Sequence, residues 1–298
     1  MARTVVTSME EAVSSIESGA TVATGLALEH AIPFAAGHEL ARQGTDDLTL
    51  VGPISDALFD QLVGCGLVSR IRAAWVGNVS TGLGYQFRRA VEDGDVDVEN
   101  HSNFSLSLAL QAAAMGVPYL PTRSLLGSDI FAESDAFRHQ EDPFTGDDLA
   151  LVPAISPDWT IVHAQRADEY GNTHFWGNEG VIEPAVGAAE NVLVTVEEIV
   201  DESVIKSDPS RVAITHDQVS AVVECPFGAH PASLTGYYNR DNDYFLDYGE
   251  QTRTAEEFDA WASEWIYGPT DREEYLDKVD ADLSITEPTV ASEVRYGQ

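Results

Sequence analysis

Apolar and polar positions follow two alternating rhythms along this chain. Short β-branched or apolar runs recur, and between them apolar residues fall three and four apart. That alternation predicts strands and helices in turn. Ser8 suits the cap of a first helix reaching about residue 17, with Glu11 at capping-box spacing and Gly19 as its stop. A β-rich run covers residues 21–25, and Pro33 suits the first turn of the next helix. Strands are predicted at 48–51, 71–76 and 96–98, with helices at 56–64 and 85–92 between them. Residues 104–115, FSLSLALQAAAM, make the strongest helical segment, ended by Gly116. Being apolar on nearly every side, that helix is expected to be buried.

Residues 124–148 break the rhythm with a stretch rich in Gly, Ser, Asp and Pro, the kind of long loop that is usually functional or mobile. The alternation then resumes. Residues 160–164 and 172–176 flank the turn ADEYGN and predict a β-hairpin. A helix at 180–189, a buried strand at 191–196, strands at 212–215 and 219–223, and helices at 258–265 and 272–279 complete the pattern. The expected class is α/β: an open, largely parallel sheet with helices on both faces and an elaborated middle segment. No repeat or compositional shift marks a boundary. Residues 1–280 therefore read as one domain and 281–298 as a polar C-terminal tail.

Composition narrows the function classes. Fifty acidic residues stand against 16 basic ones, a formal net charge of −34, and only Lys206 and Lys278 are lysines. The carboxylates are spread along the chain. That dispersion looks like adaptation to multimolar salt, where a Debye length of about 3 Å or less screens self-repulsion. The other reading is an acidic protein with basic partners. No basic stripe exists to displace phosphate counterions, so nucleic acid is not an expected partner. Cys65 and Cys225 lie far apart and outside any Cys/His cluster, which argues against a disulfide framework or a structural zinc site. The N-terminal segment lacks the apolar stretch of a signal peptide, and no run approaches a membrane span. The expected location is cytoplasmic, with no membrane partner.

Generic catalytic motifs are absent: no GxGxxG in a dinucleotide-binding setting, no P-loop, no GxSxG and no HExxH. His163 and His174 flank the predicted hairpin, where a structural pair facing one another outweighs a metal site. No metal site is expected. What stands out is a set of glycine-rich strand ends, since open α/β sheets bind ligands at the carboxyl ends of their strands. They are Thr24-Gly25, Val51-Gly52-Pro53, Val76-Gly77-Asn78-Val79-Ser80, Glu99-Asn100-His101-Ser102-Asn103 and Leu120-Pro121-Thr122-Arg123. Each glycine alone can serve a turn; five such ends converging on one edge argue for a site. Asn and Ser add adaptable hydrogen bonds there.

The same residues carry a family resemblance. Ser18-Gly19, Val22-Ala23-Thr24-Gly25 and Pro33 resemble the glycine-rich signature of family I CoA-transferases, in the polypeptide usually called alpha or A, although Gly25-Leu26-Ala27 stands where the family has Gly-Gly-Phe and Ala31 where it has a glycine. Gln111-Ala112-Ala113-Ala114, Val117-Pro118-Tyr119-Leu120-Pro121-Thr122-Arg123 and Leu126-Gly127-Ser128-Asp129 are similar to its central segment. The run from Ile161-Val162-His163 to Gly171-Asn172, then Val194-Thr195-Val196-Glu197-Glu198 and Pro226-Phe227-Gly228-Ala229-His230-Pro231, follow in the family's order. The resemblance is closest to glutaconate-type A subunits.

That resemblance implies an enzyme that moves CoA from an acyl-CoA to a carboxylic acid, a dicarboxylic one among the candidates. It does so through an acyl-glutamyl anhydride and an enzyme-glutamyl-CoA thioester. The nucleophilic glutamate is implied on a partner B subunit, with two A and two B chains usual. CoA is substrate, and no bound cofactor is implied. No catalytic residue is therefore expected here, and Glu99 is the fallback. Gly25, Asn78, Ser80, Asn103, Arg123, Gly127 and Ser128 are the candidate substrate-binding residues. Gly25 and Gly127 would offer backbone N–H groups to an oxyanion, Ser80, Asn103 and Ser128 contacts to a carboxylate or thioester carbonyl, and Arg123 a carboxylate partner. His230 is read as fixing its loop. A related A subunit type, from a CoA-ester ring hydrolase of steroid degradation, has a catalytic glutamate where Asn103 stands here. Hydrolase and non-catalytic binding subunit remain as alternatives.

Overall fold

The computed structural model describes residues 4–279 of this chain. The tail at 281–298 lies outside them. Nine strands form the main sheet. Seven of them are parallel, in the order Asp97–Asn100, Val68–Trp75, Leu48–Ile54, Thr21–Ala23, Trp159–Ala167, Asn191–Ile199, Ala221–Glu224. The order reverses direction at Thr21–Ala23, which lies between the second strand and one that follows it by more than a hundred residues. Val22 pairs with Leu50 on one side and Trp159 on the other. Such a switch point opens a crevice at the carboxyl ends of the strands.

Near-continuous apolar runs explain the central strands. Val192, Leu193, Val194 and Val196 are all buried, as a strand covered on both faces requires. Helices cover both faces. Phe34–Gln43 packs on Ala57–Gly64, and Asn103–Ala114 packs on Ile182–Ala188. One continuous buried apolar cluster runs from Ala12 to Tyr275.

Several expectations need correction. The helix Asn103–Ala114 is not buried all round. Leu106, Ala109 and Leu110 face the core, whereas Phe104 is 54% and Met115 59% exposed. The stretch 124–148 is not merely a loop. It contains the helix Asp129–Glu133 and the strand Arg138–Glu141, which pairs with Asp148–Pro153. The run at 120–123 does not end a parallel strand. Tyr119–Thr122 joins that small sheet antiparallel to Asp148–Pro153. Gly52 and Pro53 lie within Leu48–Ile54 rather than after it. A helix at Asn242–Gln251, capped by Asp241, had no counterpart in the sequence reading. Among the described residues no helix is long and apolar enough to cross a membrane.

Candidate active site

Side chains at the carboxyl ends of the parallel strands form three polar clusters. The first joins the strands Thr21–Ala23, Leu48–Ile54 and Val68–Trp75. Gly25 has φ +65, and a Cβ there would stand 2.5 Å from that of Ser55, so only glycine lets the two strand ends meet. The hydroxyls of Thr24 and Ser55 are buried there and have no hydrogen-bond partner among the described residues. Asp56, at φ +47, sits just before the helix Ala57–Gly64 and is wholly buried. It accepts the Val79 N–H at 2.9 Å and an Arg240 N–H at 2.7 Å. Burial pushes its carboxyl above the usual range, and those two donors oppose the push. Arg240 also donates to the Ser80 hydroxyl at 2.9 Å and lies 3.7 Å over the Phe245 ring.

The second cluster lies on the central strands. His163 contacts the Thr195 hydroxyl at 2.8 Å and Glu197 at 2.7 Å. Tyr238 donates to the same Glu197 oxygen at 2.8 Å, and the Phe227 N–H donates to its other oxygen at 2.7 Å. This sealed network pins the 225–231 turn onto the sheet. Gly228 fits beneath it because a Cβ there would meet the His163 ring at 2.7 Å. His230, at the cis His230–Pro231 bond, contacts Asp241 at 3.0 Å and the Tyr275 hydroxyl at 3.1 Å, so it fixes its loop as expected. Nearby, burial lowers His30 to about pKa 4, and its neutral Nε2 accepts the Thr235 N–H at 2.8 Å.

The third cluster is at the edge strand Asp97–Asn100. Glu99 contacts His101 at 2.9 Å and Arg72 at 3.4 Å, and His101 reaches the Ser105 hydroxyl at 3.2 Å. The His101 hydrogen bond, more than the nearby arginines, holds Glu99 below the usual carboxylate range. Glu99 and His101 border a cavity of about 770 Å³ that Asp129 and Glu133 also line.

The sequence candidates divide among these places. Gly25, Asn78 and Ser80 meet in the first cluster. Asn78, however, is buried and spends its amide on the Phe245 carbonyl at 2.5 Å and its carbonyl on the Ser80 N–H at 2.9 Å. Asn103 is the exposed first residue of its helix, two positions past His101. Gly127, at φ +78 with open space around it, precedes Ser128, which caps Asp129–Glu133. Arg123, just past the strand Tyr119–Thr122, is exposed and ion-paired with Asp147. His163 and His174 do not face one another. The register pairs His174 with Arg166, and His174 contacts the Ile205 carbonyl at 3.1 Å. The sequence reading missed Ser55, Asp56, Arg240 and Tyr238. Asp56 is marked only by following a strand, and nothing local marks Arg240. No group of three or more metal-ligating side chains occurs among the described residues.

Residues 6–224 match the coenzyme A transferase family. The chain is 38% identical over 267 residues to the A subunit of 3-oxoadipate CoA-transferase from Pseudomonas knackmussii, covering 89% of this chain and 94% of that one. It is 32% identical over 283 residues to the A subunit of glutaconate CoA-transferase from Acidaminococcus fermentans, covering 89% and 88%. The crystal structure of glutaconate coenzyme A-transferase from Acidaminococcus fermentans superposes with a TM-score of 0.90 at 31% identity, covering 96% of each chain.

Proposed function

The chain belongs to the coenzyme A transferase family, and on that premise we propose that it is the A subunit of a two-subunit enzyme moving CoA from an acyl-CoA to a carboxylic acid. Its two named relatives are both A subunits, matched over nearly their whole length. The observation that carries the division of labour is the state of the strand-end carboxylates. Asp56 is wholly buried against Arg240, Glu99 is held by His101 and Arg72, and Glu197 is sealed under Tyr238. A carboxylate buried or already committed to donors in this way is a poor nucleophile. That supports a glutamate of the partner B subunit forming the anhydride and thioester.

This chain then contributes the pocket. The Gly25 loop, with the Thr24 and Ser55 hydroxyls beside it, offers donors to a developing oxyanion. Ser80, held by Arg240, faces the same crevice. Asn103 stands two positions past His101, and Gly127 and Ser128 just before Asp129, so all three are next to residues that line the neighbouring cavity, and Asn78 shapes the loop that carries Ser80. Arg123 has the weakest case, since Asp147 already pairs it. CoA enters as substrate, with no bound cofactor, in a cytoplasmic assembly of two A and two B chains. The continuous core supports a single domain.

Co-purified A and B chains, incubated with an acyl-CoA and then borohydride, test the reading. The expected result is a reduced glutamate on the B chain and full transferase activity for Glu99→Gln. A reduced Glu99 would move the nucleophile into this chain. CoA release by water without an acceptor acid would instead favour an ester hydrolase.

A further inference from the structure

A CoA ester is strongly anionic, while this chain carries a net charge of −34. Several of its arginines are ion-paired: Arg70 to Asp97, Arg72 to Glu99, Arg123 to Asp147, Arg211 to Asp208 and Arg240 to Asp56 and Glu29. At one place two arginines share an aromatic ring. The half-buried Trp176 ring carries two guanidinium groups, that of Arg211 at 4.5 Å and that of Arg166 at 5.4 Å from its centroid. Tyr237 leans on it at 6.3 Å. Gly236 backs its edge, where a Cβ would stand 3.2 Å from the indole nitrogen.

The platform is built rather than incidental. Arg211 is ion-paired to Asp208 at 3.1 Å, and Arg166 donates to His174 at 3.2 Å, so both guanidinium groups are fixed. Buried Gln165 clamps the Trp176 carbonyl at 2.8 Å and the Thr235 carbonyl at 3.2 Å. The platform is also tied to the Gly25 loop. Asn178 donates to the Ala27 carbonyl at 3.0 Å, and the Val181 N–H donates to that of Leu26 at 2.9 Å. Gly180 permits this approach, because a Cβ there would fall 2.1 Å from the Leu26 oxygen.

We propose that the Trp176–Arg166–Arg211 stack receives the adenine and phosphates of the CoA ester, while the thioester end reaches the Gly25 loop. A purine extends an aromatic–guanidinium stack without base-specific contacts. Guanidinium groups pair phosphate oxygens in a geometry that ammonium groups cannot match. The inference rests on the CoA-transferase reading.

The test compares an acyl-CoA with the corresponding acyl-pantetheine, which lacks the nucleotide, in the assembled enzyme. Trp176→Leu and Arg211→Gln are each expected to lower the ratio of kcat/KM for the CoA ester to that for the pantetheine ester by about tenfold or more. An unchanged ratio overturns the proposal, whether both activities persist or both fall in parallel. Should the wild-type pair transfer CoA from no acyl-CoA, the functional reading fails. Calorimetry with adenosine 3′,5′-bisphosphate then decides the platform alone. Binding weakened by Trp176→Leu supports it; equal binding, or none to the wild type, overturns it.

Discussion

Replacing Arg240 by methionine isolates the cost of leaving Asp56 without its counter-charge. The side chains meet at 2.7 Å, with Arg240 15% exposed and Asp56 wholly buried. Methionine keeps much of the packing over Phe245 but removes the charge. Breaking a buried pair by deleting one partner costs about 3–5 kcal/mol, because the other charge stays desolvated. For a chain of this size that corresponds to a drop in Tm of roughly 6–20 °C.

The loss should depend on pH with a definite sign. Asp56 is raised above its ordinary value by burial even with Arg240 present. Folded-state stability from such a group is fully present below its unfolded pKa and is lost as pH rises through the folded pKa. Without Arg240 the folded pKa climbs further, so the penalty is small near about pH 4 and grows as pH rises toward and past neutrality. Thermal melts of wild type, Arg240→Met, and Arg240→Met with Asp56→Asn, at fixed salt across that range, make the measurement. The double variant is expected to regain most of the loss at neutral pH. A penalty below about 1 kcal/mol, or one constant with pH, would refute the reasoning.

Three further outcomes follow from features already described. Gly25→Ala combines a left-handed φ with a 2.5 Å clash on Ser55, so it should cost about 2–4 kcal/mol, whereas Gly127→Ala, with nothing within 4 Å, should cost about 1 kcal/mol; equal Tm losses would contradict this. Tyr238→Phe strips the donor from Glu197 and the acceptor from the Ala229 N–H, for a loss of about 1–3 kcal/mol by denaturant titration at unchanged m-value. Read as salt adaptation, the dispersed acidity predicts that activity of the assembled enzyme falls as salt is withdrawn and the Debye length grows from about 3 to about 10 Å; full activity in dilute buffer would remove that reading.

The parallel strands were legible because burial on both faces leaves nothing polar to interrupt a run such as Val192-Leu193-Val194. The strand Arg138–Glu141 was not legible, since all four residues are exposed and carry no alternation. Helical periodicity located Asn103–Ala114. It did not reveal the outward face holding Phe104, because apolar character alone does not say which side meets the core. In the site, Gly25 was readable as a strand-end glycine. The Asp56–Arg240 pair was not, because its members stand 184 positions apart and meet only through the fold. Likewise His163 found Glu197 across parallel strands rather than His174 across the hairpin.

The placement of Thr21–Ala23 bears on how the chain is made. Its neighbour on one side, Trp159–Ala167, and the Asp158 carboxylate that accepts the Thr21 N–H both lie about 137 positions downstream. A ribosome adding about 5–20 residues per second needs on the order of ten seconds to deliver them. Over that interval the first strands can pair with one another but leave a sheet edge open at the position that becomes the middle of the finished sheet. An unpaired edge of this kind recruits other strands. The nascent chain is therefore most prone to mispairing before residue 159 emerges, and most in need of a chaperone then.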